Sequence, residues 1–178
     1  MTNSPETFMA AFLPVSSKGG KIFFVITFFL CSLGNVLYSQ KENTTWKQEI
    51  EKAIDETNIA VRKAFLEGDL ATIAKYHHPE VTKALAFDNV VNNREEVIEG
   101  LSQTMSQFDM QYMDDRTTEK MHIQKDMVLL QAKFALKLIP KNGDPSFVYR
   151  GRTLLVYVPC PESPTGWGTL HEMIQPGQ

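Results

Sequence analysis

Two adjacent histidines, His77 and His78, lie in the stretch LEGDLATIAKYHHPEV (Leu66 to Val81) and are half of the four histidines in the chain. An imidazole titrates near neutral pH and also binds metals, so the pair is the first place to look for chemistry. A metal site does not follow from it. Ligands at i and i+1 cannot face one ion from a regular helix, where chelating pairs stand three or four residues apart, and His122 is remote in sequence. No metal and no other cofactor is expected. Pro79 disfavours helical geometry for the residue before it. His77 is therefore expected to finish a short helix, facing solvent, and His78 to be extended beside the first strand. His171 and Glu172 are the other titratable neighbours. Strand neighbours point to opposite faces, so they are not a local dyad. His171 shares a face with Trp167 and Met173, and Glu172 shares one with Leu170 and Ile174. His78 and His171 are the catalytic candidates as acid–base groups. Arg150 and Arg152 are two apart on one strand face. They suit either a ligand carboxylate or a salt bridge to a neighbouring element. No Ser–His–Asp pattern, phosphate loop or dinucleotide fingerprint is present, and Gly166-Trp167-Gly168 reads as a strand entry rather than a nucleophile elbow.

Charge narrows the partners. The net charge is -3 and the pI is near 5.8. The Lys and Arg residues are scattered, which excludes a basic footprint for nucleic acid. The apolar run from Ile22 to Leu33, flanked by Lys18 and Lys21, has the length of a signal-peptide core and is short for a spanning helix. Residues 1–39 are expected to be a leader with a secretory signal cut after Ser39, and residues 40–178 one domain, periplasmic or extracellular and off the membrane. An uncleaved N-terminal anchor is the alternative. After cleavage Cys160 is the sole cysteine, so no internal disulfide forms; in VPCPESP it reads as a turn residue rather than a reactive thiol.

The elements that position these residues follow from periodicity. Thr45 and Gln48 have capping-box spacing. Ile50, Ile54, Val61 and Phe65 then fall on one helix face, and Glu49, Glu51, Lys52, Glu56, Arg62 and Lys63 on the solvated side. Gly68 ends that helix. Asp69 caps a second, with Leu70, Ile73, Ala74 and Tyr76 packing. A strand over 81–87 turns at Asp88-Asn89 into a short return. Asn93 and Glu96 cap a third helix to about Phe108. Four strands follow, near 117–124, 127–139, 147–159 and 167–174. On the second of them Val128, Leu130, Ala132, Phe134, Leu136 and Leu138 share a face. The class is α+β: a curved antiparallel sheet wrapped around three N-terminal helices. Leu154 to Val158 is apolar on both faces. Helices cover one face and a second copy the other, so a homodimer through the outer sheet face is expected.

The segments AFLEGDLATIAKYHHPEV, NNREEVIEGL, YRGRTLLVYV and GWGTLHEMI, in this order and spacing, resemble the nuclear transport factor 2-like superfamily, with its SnoaL-like proteins and ketosteroid isomerases. The resemblance spans Trp46 to about Pro176. It implies a cone whose concave side, closed by the helices, forms a pocket, and dimerisation through the outer face. It does not fix function. A ketosteroid isomerase mechanism needs a tyrosine, an aspartate base and a protonated acid. The matching positions here are Val61, a place near Ala84 beside Lys83 and Leu85, and a strand with no carboxylate between Asp144 and Glu162. That mechanism is not carried by these residues. The expectation is a binder of a small apolar or amphipathic molecule, touched by Tyr76, His78, Phe87, Met105, Phe108, Arg150, Arg152 and Trp167. The alternatives are an isomerase, cyclase or dehydratase of the SnoaL-like kind using His78 or His171, and a scaffold subunit with a filled cone. Pocket volume and the number of convergent titratable groups separate the three.

Overall fold

The computed structural model describes residues 45–113 and 117–177. The expected leader, with Cys31 and the cleavage point, lies outside the described residues. The first helix, α1, covers residues 45–67. Ile54, Thr57 and Ala64 are its buried positions, one stripe at helical spacing. Gly68 takes φ +70°, and its neighbour Asp69 donates its N–H to the Ala64 carbonyl at 2.8 Å. Only glycine adopts that left-handed geometry without steric cost, which is why the helix breaks there. Asp69 then caps α2 (Leu70–Lys75), accepting from the Thr72 N–H at 2.9 Å.

Helix α2 ends earlier than Pro79 alone requires. Tyr76 is its C-cap, and both histidines belong to strand β1 (His77–Ala86). The cause is sheet pairing: Thr169 donates to the Tyr76 carbonyl at 2.9 Å, and His77 pairs with Thr169. Pro79 falls in an irregular stretch of β1 between His77 and Thr82, where it costs no ladder bond. Strand β2 (Asn89–Val91) returns beside β1. Asn93 caps α3 (Arg94–Gln107) by accepting from the Glu96 N–H at 2.8 Å, while Glu96 accepts from the Asn92 N–H at 3.0 Å. This reciprocal exchange fixes the start of the helix at the expected residue.

Five strands follow rather than four: β3 (Phe108–Tyr112), β4 (Thr117–Ile123), β5 (Val128–Pro140), β6 (Phe147–Pro159) and β7 (Trp167–Pro176). The seven strands form one curved, unclosed sheet in the order β2-β1-β7-β6-β5-β3, with β4 also on β5. Every junction is antiparallel except β1 with β7, so the sheet is mixed rather than wholly antiparallel. Ile54 of α1 packs against Val128, Leu130, Leu155, Tyr157 and Trp167 to form the core at one end. Gly168 is held close to the chain: a Cβ there would lie 2.9 Å from Cys160 Cβ and 3.2 Å from the His78 nitrogen. Among the described residues no helix is long and apolar enough to cross a membrane.

Candidate functional site

The concave side of the sheet and the three helices enclose a cavity of about 720 Å³. That is the size of a small-molecule site, so the cone is open rather than filled. Most of the wall is apolar: Val61 and Phe65 from α1, Ile73 from α2, Leu85 and Val91 from the first hairpin, Val97 and Leu101 from α3, and Phe134, Leu136, Leu155 and Ile174 from the sheet. Exposed Asn89, Glu96, Glu99 and Gln103 also line it, which places its mouth between β2 and α3.

One region of the wall is polar and built from four side chains on three strands, β1, β6 and β7. Lys83 Nζ lies 2.6 Å from Glu172 Oε2, with the two side chains only 13% and 15% exposed. Thr153, itself buried, donates its hydroxyl to Glu172 Oε1 at 2.9 Å. His77 is 3% exposed, and its Nδ1 lies 2.8 Å from the Ile73 carbonyl. The carbonyl can only accept, so the proton sits on Nδ1 and Nε2 is left as the lone-pair nitrogen of a ring that lines the cavity. The same bond satisfies a carbonyl at the end of α2.

Electrostatics follow from this arrangement. Burial, then the Lys83 charge, holds the His77 pKa down to about 3, against the opposing pull of the Ile73 carbonyl and Glu172. The imidazole is therefore neutral at physiological pH. Burial pushes the Glu172 carboxyl up, but the Lys83 charge and the bonds from Lys83 and Thr153 outweigh it and hold the group below its usual range. The cluster is thus an ammonium–carboxylate pair beside a fixed neutral acceptor.

A bulge turns two residues of β7 toward the cavity. Val156 pairs with His171 and Tyr157 with Thr169, so Leu170 is the extra residue in β7. Thr169 and Glu172 can then both face the cavity although they are three apart. On β1, Val81, Lys83 and Leu85 share a face. Val81 is fully buried, and Lys83 and Leu85 line the cavity.

The expected site residues lie elsewhere. His77, expected in solvent, is the buried histidine on the cavity wall, and His78 is half-buried with its Nδ1 accepting from the Glu80 N–H at 3.2 Å. His171 is on the outer face, beside Val156 and Thr82. Trp167 and Tyr76 are buried in packing, and Phe87 is fully exposed at the hairpin tip. Met105 is half-buried in α3, and Phe108 packs edge-on to Phe147 at 6.1 Å. Arg150 is exposed. Arg152 grips Glu119 with two bonds, Nε at 2.6 Å and Nη2 at 3.1 Å, which is the salt-bridge outcome for Arg152. Apart from His77, none of these residues lines the cavity. Arg62, expected on the solvated side of α1, instead reaches the cavity and stacks 4.5 Å from the Tyr112 ring centroid.

Among the described residues no group of His, Cys, Asp and Glu is arranged to hold a metal ion. No family model matches the chain, and no curated protein matches it. Solved structures do. A conserved protein from Planctomyces limnophilus superposes with a TM-score of 0.65 at 14% identity, over 74% of this chain and 100% of that one. A nuclear transport factor 2-like superfamily protein from Salmonella enterica gives 0.60 at 15% identity, over 76% and 94%. A putative scytalone dehydratase from Novosphingobium aromaticivorans gives 0.68 at 9% identity, over 76% and 89%.

Proposed function

From a chain that has the nuclear transport factor 2-like fold, we propose that it binds a small amphipathic molecule, apolar body in the cavity and polar end at Lys83, Glu172, Thr153 and His77. The observation that carries this reading is the cavity of about 720 Å³, with a largely apolar wall and a buried Lys83–Glu172 cluster set into it. Apolar contact supplies affinity and the few polar groups fix orientation, as in most small-molecule sites. A plugged scaffold cone is disfavoured by the same volume. Native mass spectrometry of the purified chain tests the reading. A co-purifying small molecule that is lost from a Leu101→Trp variant supports it, and a bare chain that takes up no amphipathic compound overturns it.

The second reading is acid–base catalysis in the same cavity, and a specific observation favours it: three titratable groups, His77, Lys83 and Glu172, face one space. These would take the place of His78 and His171. Two of the similar solved structures are described as a putative scytalone dehydratase and a ketosteroid isomerase-like protein, both cone-fold relatives with enzyme names. Glu172, held ionised, is the group able to accept a proton, and Lys83 is the group able to polarise a carbonyl. Turnover by wild type that Glu172→Gln abolishes while ligand uptake persists separates catalysis from binding.

We also propose an exported homodimer joined through the outer sheet face. Leu154, Val156 and Val158 are half-buried in one chain, and Met173 is 49% exposed. A second copy would remove this strip from water. Light scattering at micromolar concentration should give a dimer, and a strict monomer removes the proposal. Sequencing the exported protein from its N-terminus should start near Gln40, and an intact leader points to the anchor.

A further inference from the structure

Resting on the ligand-binding reading above, we infer that the cavity selects an electrically neutral ligand whose head carries a hydroxyl or carbonyl oxygen, and that it discriminates against carboxylates. The argument is one of charge and of donor inventory. The Lys83 ammonium is already met by Glu172 at 2.6 Å, so the buried cluster has no surplus positive charge to offer an anion. Arg94, which also acts on His77, is itself paired with Glu162 at 3.0 Å. The other charged residues lining the cavity are one cation, Arg62, against two carboxylates, Glu96 and Glu99. An incoming carboxylate would be desolvated beside Glu172 and the lone pair of a neutral imidazole, which is the costly case of a buried charge with no partner.

A neutral oxygen head meets matched groups instead. An ammonium carries three donors, and one of those on Lys83 is directed to Glu172. The remainder can bond a carbonyl or ether oxygen. His77 Nε2 accepts only, because Nδ1 holds the proton against the Ile73 carbonyl. It can accept a hydrogen bond from a hydroxyl but cannot donate one to a carboxylate. Thr153 is committed to Glu172 and keeps that carboxylate oriented toward the pair. An alcohol, phenol or ketone on an apolar skeleton therefore completes the cluster without adding charge to it.

The test uses the purified chain and three probes with one skeleton: 2-naphthol, 2-acetonaphthone and 2-naphthoate, titrated by calorimetry at pH 7.5. N-phenyl-1-naphthylamine, a neutral apolar dye, reports whether the cavity takes any ligand. The expected result is that the naphthol or the ketone binds at least tenfold more tightly than the naphthoate. Glu172→Gln leaves the Lys83 charge unbalanced and should shrink that ratio by at least tenfold. Lys83→Met leaves Glu172 unbalanced and should widen it. If Glu172→Gln fails to fold, the wild-type ratio and Lys83→Met still decide. Naphthoate binding as tight as naphthol and ketone in wild type overturns the inference. So does dye binding with no binding of any naphthalene probe, which leaves the ligand-binding reading standing. Failure of dye and probes alike overturns that reading and the inference with it.

Discussion

The Lys83–Glu172 pair gives the sharpest test of how the cavity wall is held. At 2.6 Å and an effective dielectric of about 20, two unit charges attract by about 6 kcal/mol. Desolvating both ions offsets most of that gain, so the pair adds little net stability over an apolar substitute of similar volume. The asymmetry appears when one partner is removed. Lys83→Met leaves a carboxylate with Thr153 as its remaining hydrogen-bond donor, and Glu172→Leu leaves a buried ammonium unpaired. Each should cost about 3 kcal/mol, the low end for a broken buried pair, because the cavity mouth admits water to the wall. For a domain of this size that is a melting-temperature drop of about 10 °C. The double variant Lys83→Met/Glu172→Leu removes both charges and should recover to within about 1 kcal/mol of wild type. Urea unfolding of the four proteins, followed by far-UV circular dichroism, closes the double-mutant cycle. Losses that add, giving a double variant about 6 kcal/mol less stable than wild type, would refute a mutually dependent pair.

Three further outcomes are expected. Unfolded His77 takes its proton at the usual pKa of 6.5, and folded His77 only at about 3. Between those values the unfolded state binds more protons, so stability falls as pH falls below 6.5, with a slope of up to about 1.4 kcal/mol per unit; urea midpoints from pH 7.5 to 5 should show it, and His77→Gln should flatten it. Gly100 sits in α3 with open space where a Cβ would go, so Gly100→Ala should raise stability by about 1 kcal/mol in the same assay. Gly168→Ala should lower it by about 2 kcal/mol, because the new methyl meets Cys160 Cβ and the His78 backbone rather than a flexible chain end.

The layout of helices and strands was legible because its signals are local. Asn93 with Glu96 marks a helix start, Gly68 with Asp69 marks a break, and β5 alternates cleanly from Val128 to Lys133. Strand β3 was not legible: Phe108 to Tyr112 continues directly from α3 and pairs with residues about thirty positions away. The histidine pair was misassigned because Pro79 was the visible helix stop. The effective stop is the pairing of His77 with Thr169, a contact that sequence does not display.

The polar cluster leaves a signal in the sequence. Lys83 shares a face with Val81 and Leu85, and Glu172 shares one with Ile174. A charge at an inward position of a strand asks for a partner. His171 carries the more conspicuous chemical signal, yet strand geometry turns that ring to the outer face. The bulge at Leu170, which lets Thr169 and Glu172 face inward together, has no mark in sequence.

The central claim is that the cavity takes up a small amphipathic molecule. Titrating the chain with N-phenyl-1-naphthylamine, against wild type and variants Leu101→Trp and Leu136→Trp that place an indole in the cavity, tests it most directly. The account requires saturable binding of one dye per chain in wild type and its loss in the filled variants, with melting temperatures unchanged or raised. Binding that does not saturate, or that survives both tryptophans unaltered, would contradict it.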